Sequence, residues 1–179
     1  MAQLQPDWNF LGLEIRQPLV ERANQLRTQR HLTNLHYLFG NVNTTLRSLL
    51  CPSRPPPNCE PRTTNREPSS LSLQTVTIQF PDPWFKRRHQ KRRVVQPQLI
   101  QDLANCLQRG GILFIQSDIL GVATEMRDRI LAHPDFRIEG DPNTWLSENP
   151  FPVATERENY VLQQGKPVYR CQFQKRTAL

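Results

Sequence analysis

The chain has 179 residues, 37% of them hydrophobic, enough for one ordinary globular domain with a sizeable core and unlike a disordered or fibrous sequence. Its formal net charge of +7 points to a polyanionic partner, because clustered Lys and Arg gain affinity for phosphates by displacing condensed counterions. No run approaches the roughly 18–20 apolar residues that span a bilayer, the first six residues lack a leader pattern, and Cys51, Cys59, Cys106 and Cys171 show neither zinc-ligand nor disulfide-framework spacing, so a cytoplasmic protein without membrane or metal is expected.

Met1–Pro6 reads as the last turn of a helix with a proline stop. Asn9–Ile15 is a short apolar run carrying Glu14 near its end, followed by Leu19, Val20, Ala23 and Leu26 at helical spacing, a strand and then a helix. His36–Phe39 reads as a second strand with a turn at Gly40-Asn41, and Leu46, Leu49 and Leu50 mark one face of a second helix. Six of the sixteen prolines fall between Cys51 and Ser70 with almost no large apolar residue, which predicts an exposed insertion loop over 51–70. Thr75–Phe80 alternates like a strand and stops at Pro81-Asp82-Pro83, since proline cannot donate to a sheet ladder. Leu99, Ile100, Leu103, Cys106 and Leu107 follow helical spacing, Gly110-Gly111 is expected to stop that helix, and Ile112–Ile115 reads as a buried strand ending near Asp118. Ile119–Ala132 is a further amphipathic helix and Val168–Phe173 a last strand. This alternation predicts an α/β sheet with helices on both faces, where ligands bind beyond the carboxyl ends of the strands, so Glu14, Asn41, Asp82 and Asp118 are the positions to examine.

In Phe80-Pro-Asp-Pro-Trp-Phe-Lys86, two prolines fix the backbone around Asp82 and so preorganise a carboxylate just past a strand; a rigid turn with Trp84 as a core plug is the plainer reading. Lys86–Arg93 packs six Lys or Arg and one His into eight residues, either a solvated charge run or a track for RNA phosphates beside Trp84 and Phe85, which can stack on or wall a base. Thr155-Glu-Arg-Glu158 has the spacing of a helix capping box, and Asp118 stands where it could cap the helix beginning at Ile119. Glu14 is either an ordinary exposed acid or, at the end of a strand, an acceptor for a nucleotide ribose.

Together, Phe80-Pro-Asp-Pro-Trp-Phe-Lys, the basic run closing on Lys91-Arg-Arg, Gln116-Ser-Asp118, Thr155-x-x-Glu158 and Gly165-x-x-Val-Tyr169 resemble the bacterial tRNA (guanine-N7)-methyltransferases, in order and in approximate spacing, from Asn9 to Lys175. The resemblance implies a Rossmann-like class I S-adenosylmethionine-dependent fold, strand order 3-2-1-4-5-7-6, acting as a single domain on the variable-loop guanine at tRNA position 46. It implies Asp82 as the active-site acid, also at the cofactor, with Glu14 and Asn41 as cofactor-binding residues; Asn41 stands where the family usually has an aspartate. Lys86, Asp118, Thr155 and Glu158 match substrate-binding positions, and Arg88, His89, Gln90, Lys91, Arg92 and Arg93 match the RNA-contacting stretch. The partner implied is tRNA, with the protein a monomer or homodimer.

No segment matches the family's first strand and glycine-rich turn, so an N-terminally truncated chain, with Met1 an internal methionine and the edges of the Asn9 and Thr75 strands unpaired, is expected. Its activity then depends on the absent segment, and a catalytically dead tRNA-binding protein is the competing reading. A nucleotide-dependent oxidoreductase would require a glycine-rich fingerprint that the sequence does not contain.

Overall fold

A computed structural model describes residues 1–50 and 73–177, and the predicted 51–70 insertion lies outside the described residues. The chain divides into two compact units, Met1–Leu49 and Leu50–Leu179. Among the described residues no helix is long and apolar enough to cross a membrane, and no cluster of three or more His, Cys, Asp or Glu could hold a metal ion.

The first unit holds β1 (Phe10–Glu14), α1 (Gln17–Gln29), β2 (Leu35–Phe39) and α2 (Val42–Leu50). Leu4 N and Gln5 N both donate to Met1 O, closing one turn before β1. β1 and β2 pair in parallel, from Phe10 opposite Leu35 to Glu14 opposite Phe39, and α1 makes the crossover that parallel strands require. Asn24 on α1 takes both backbone groups of Tyr37: its Nδ2 donates to Tyr37 O at 2.9 Å, and Tyr37 N donates to its Oδ1 at 3.2 Å. Gly12 lies against the Tyr37 ring, where a Cβ would meet Cδ1 and Cε1 at 2.4 Å.

The second unit is a four-stranded sheet in the order β3 (Leu73–Gln79), β4 (Leu107–Ser117), β6 (Tyr169–Lys175), β5 (Phe136–Ile138). β3 runs parallel to β4, whereas β6 is antiparallel to both β4 and β5. Its helices are α3 (Pro97–Cys106), α4 (Leu120–Leu131) and α5 (Glu156–Gln163), and a 3-10 helix spans Arg87–Arg92. β3 pairs on one side with β4 and β1 on one side with β2, and among the described residues neither has a second partner strand.

Proline in the first turn of α3 lacks an N–H where helices leave theirs unsatisfied, and the 3.6-residue spacing buries Leu99, Ile100, Leu103 and Ala104. α4 buries Val122, Ala123, Met126 and Ile130 by the same rule. Leu113 to Ser117 of β4 are buried without alternation, the signature of a strand covered on both faces. Phe114 sits at the centre of this core, edge-on to Phe151 at 5.2 Å between ring centroids. Cys171 on β6 is buried too, and that burial pushes its thiol pKa up to about 11, keeping it protonated and inert.

Gly110 and Gly111 do not stop α3 as the sequence predicts. The helix ends at Cys106, Leu107 is already extended, and β4 begins there. The glycines instead form an irregularity inside the strand: Leu73 faces Leu107 but Thr75 faces Ile112, so β4 carries extra residues across that interval. Gly110 has φ +75°, and a Cβ on Gly111 would lie 2.8 Å from Gln108 O and from Leu107 Cγ. β5 and the full extent of α5 were not predicted; β5 is only three residues long, and α5 is mostly polar.

Phe114→Ala removes a fully buried ring and is expected to cost about 3–5 kcal/mol, whereas Phe85→Ala, at a residue 69% exposed, is expected to stay within about 0.5 kcal/mol of the parent. Urea unfolding of both variants checks the pair; equal losses would place Phe114 outside the cooperative core.

Candidate active site

In the second unit the parallel strands β3 and β4 end side by side, with Gln79 opposite Gln116 in register. Asp82 follows the first of these residues and Asp118 the second, which places the two acids at the carboxyl ends of neighbouring strands, the edge where α/β sheets bind ligands.

The turn carrying Asp82 is bracketed by two residues in the left-handed region, Phe80 at φ +48° and Trp84 at φ +43°. Each costs on the order of 1–3 kcal/mol for a non-glycine residue and persists only where its surroundings over-determine it. On one side Phe80 N donates to Gln116 O at 2.9 Å; on the other, Arg93 Nε donates to Pro83 O at 2.9 Å. The Asp82 side chain is exposed and borders a shallow depression shared with Pro81, Arg93, Val95, Glu125 and Met126. The carboxylate is therefore held by its backbone and open to an incoming group.

Trp84 is not a core plug. His89 meets its ring edge-on at 5.8 Å, and the Arg92 guanidinium lies over its face at 5.1 Å. The basic run thus folds as a 3-10 helix around the indole. Lys86, Arg88, Lys91 and Arg92 are exposed, and His89 and Gln90 half-buried. Arg93 differs: its side chain is 14% exposed and forms an ion pair with Glu125 on α4.

Asp118 does not cap α4. Ser117 Oγ takes Ile119 N at 3.1 Å, and Asp118 Oδ2 accepts from Arg157 at 2.6 Å. Thr155 does cap α5, its Oγ1 accepting from Glu158 N at 3.1 Å. The reciprocal half of a capping box is absent, because the Glu158 carboxylate turns inward. Glu158 is 1% exposed and Arg170 on β6 is 4% exposed. Arg170 donates to Glu158 Oε1 through Nε at 3.2 Å and Nη2 at 2.7 Å; Asn149 and Gln116 donate to Oε2 at 2.7 and 3.2 Å. Burial opposes ionisation of Glu158, but these hydrogen bonds and the Arg170 charge outweigh it and hold the carboxyl below its ordinary value. Gln116 Nε2 also donates to Gln79 Oε1 at 2.9 Å, which ties the network to the end of β3. With its amide nitrogen facing two acceptors, Gln116 leaves its Oε1 buried and without a partner among the described residues.

Among the members of this arrangement with no role in the sequence analysis are Arg170, Asn149 and Glu125. Arg170 had a detectable signal, a charge inside the apolar run of the last strand, which demands a buried partner. Asn149 and Glu125 had none.

In the first unit Glu14 ends β1, and Asn41 follows the end of β2. Gly40 N donates to Glu14 O at 3.0 Å, which draws the two strand ends together. Glu14 Oε1 accepts from Arg16 N at 2.9 Å and from Arg16 Nε at 3.1 Å. Partial burial raises its pKa, but these bonds and the Arg16 charge prevail and lower it, so the carboxylate is an anionic acceptor. Asn41 is exposed, and its Oδ1 accepts from Asn43 N at 3.0 Å at the start of α2.

The fold is shared with solved methyltransferases. A methyltransferase homolog from Pyrococcus horikoshii superimposes with TM-score 0.56 at 10% identity over 93% of this chain and 53% of its own. An rRNA methylase from Streptococcus thermophilus gives TM-score 0.55 at 8% identity over 94% of this chain and 74% of its own. The fold is that of the class I S-adenosylmethionine-dependent methyltransferases. A family model described as "Putative methyltransferase" matches residues 1–54 and 67–171. The tRNA (guanine-N7)-methyltransferase of Trichormus variabilis is 55% identical over 98% of this chain and 74% of its own length. That of Synechocystis is 49% identical over 98% and 75%. Sequence identity of this order along nearly the whole chain, on a methyltransferase fold, establishes that the chain belongs to the tRNA (guanine-N7)-methyltransferase family.

Proposed function

We propose that this protein methylates guanine N7 in tRNA, at the variable-loop guanine of position 46, and that Asp82 is the carboxylate at the reacting base. The observation that carries this reading is the strained turn itself, which holds an exposed carboxylate at a strand end immediately before an exposed cationic helix.

When bound, S-adenosylmethionine would supply an electrophilic methyl group, its S–CH3 bond breaking as the N7–CH3 bond forms and S-adenosylhomocysteine leaving. Glu14 suits its ribose, since an ionised carboxylate accepts from both hydroxyls, and exposed Asn41 suits the adenine. Guanine N7 carries a lone pair and no proton, so the reaction needs positioning more than a base. As the methyl arrives the purine becomes cationic, and a fixed carboxylate stabilises that charge without reorganising. Asp82 also accepts from guanine N1–H and the exocyclic amine, groups by which adenine is rejected. Lys86, Arg88, Lys91 and Arg92 draw in the phosphate backbone beside His89 and Gln90. Asp118, just past the neighbouring strand β4, and Thr155, at the start of α5, are the further substrate-side residues. Glu158, fully engaged with protein donors, acts beneath them as a positioning residue.

Asp82→Ala is expected to lower methyl incorporation into tRNA by about 10²–10³-fold while cofactor and tRNA binding survive. Normal turnover in that variant would remove Asp82 from the mechanism.

The Glu158 carboxyl lies below its ordinary 4.5 in the folded protein. Its contribution to stability is therefore present above the unfolded value and lost as pH falls through the folded one. Glu158→Gln leaves Arg170 buried without its counter-charge, at a cost of about 3–5 kcal/mol near pH 7. The gap to the parent is expected to narrow as pH drops below 4.5, read by urea unfolding across pH; a gap independent of pH would show that the ion pair does not govern the acid limb.

A further inference from the structure

We infer that Arg93, the last residue of the basic run, is a positioning residue for the Asp82 turn and not a phosphate contact, and that Glu125 on α4 is the group that sets it. This rests on the reading of Asp82 given above. Arg93 is largely withdrawn from solvent, unlike Lys86, Arg88, Lys91 and Arg92 of the same run. Its guanidinium reaches back ten residues to donate from Nε to Pro83 O at 2.9 Å, the carbonyl between Asp82 and left-handed Trp84, while its Nη1 meets Glu125 Oε2.

Glu125 is itself fixed. Its Oε1 lies 2.7 Å from Arg129 Nη2, and Arg129 Nη1 donates to Val95 O at 2.6 Å. One carboxylate on a buried-faced helix thus grips two arginines, and each arginine holds a backbone carbonyl, one before the 3-10 helix and one after it. The segment between Pro83 and Val95 is tied at both ends to α4. For Arg93 to swing outward to an RNA phosphate it would give up Pro83 O and Glu125, freeing the strained turn and leaving the partly buried Glu125 carboxylate with Arg129 alone. The remaining cations of the run have no such tie to α4 among the described residues and stay available to the backbone of tRNA.

The test compares Arg93→Lys, Arg93→Gln, Glu125→Gln, the Arg93→Gln/Glu125→Gln double variant, Arg88→Gln and Asp82→Asn in two assays: steady-state methylation of tRNA, and tRNA binding without cofactor as a function of salt. Arg93→Lys keeps the charge but cannot make the forked contact, so it, Arg93→Gln and Glu125→Gln are expected to lower kcat about tenfold or more, the size of effect that misplacing a reacting group produces. Their tRNA Kd and salt slope stay at parental values, and the double variant is no slower than the worse single one. Arg88→Gln does the reverse: it weakens tRNA binding and reduces the salt slope by about 0.7–0.9. If Arg93→Lys turns over normally while Arg93→Gln weakens binding and flattens the slope, Arg93 is a phosphate contact and the inference is overturned. Normal kcat in Glu125→Gln overturns it as well. Circular dichroism identifies a variant that fails to fold, and Arg93→Lys, the most conservative change, then decides. Asp82→Asn separates the two claims: full turnover there removes the underlying reading, whereas a dead Asp82→Asn beside fully active Arg93 and Glu125 variants removes only this inference.

Discussion

The second unit is organised around one buried ion pair. Glu158 and Arg170 would each be costly to bury alone, because an isolated charge in a low-dielectric core loses its hydration, and they are tolerated only because every oxygen of the carboxylate receives two donors. The partners come from four places in the chain: Glu158 from α5, Arg170 from β6, Gln116 from β4 and Asn149 from the loop before α5. A hydrophobic core of similar volume would tolerate sliding of these elements past one another, whereas a directional network does not. The end of β4 is fixed by that network, and Gln116 O in turn receives Phe80 N. The geometry of the Asp82 turn is therefore set from below by charge.

The same turn is set from above by a second carboxylate. Glu125 holds Arg93 and Arg129, and through them the two ends of the segment containing the cationic helix. Two acids placed on different elements thus stabilise a backbone path that its own residues do not favour, since neither phenylalanine nor tryptophan is at ease with positive φ. The division of labour is electrostatic as well. Arg93 and Arg129 pair with an internal acid, whereas Lys86, Arg88, Lys91 and Arg92 stay exposed.

Most of the elements were legible in the sequence because each is short, apolar at one period and punctuated. Pro18 and Pro97 start helices, the P-D-P turn ends β3, and Gly40 separates β2 from α2. Local punctuation misled at Gly110-Gly111, where two glycines next to a helical pattern look like a stop but serve a strand irregularity whose partner, Leu73–Thr75, lies more than thirty residues earlier. The site was legible at the level of residue types and not of pairings. Thr155-x-x-Glu158 spells a capping box, and half of one exists; the other half lost to Arg170, a residue twelve positions away that no local rule connects to it. Asp118 was a reasonable cap, but α4 starts without a side-chain cap: Ser117 Oγ takes the N–H of Ile119, and the Asp118 carboxylate turns to Arg157. Arg93 looked like its five cationic neighbours in the run, and only the arrival of Glu125 from α4 tells it apart.

Asn24 has a consequence for how the first sheet can be extended. By occupying both the N–H and the carbonyl of Tyr37, it presents the outer side of β2 with a side-chain amide in place of a free ladder. A strand approaching from that direction finds its central hydrogen-bonding position already filled. Growth of this two-stranded sheet is thereby given a direction: any additional strand, from this polypeptide or another, must join along β1.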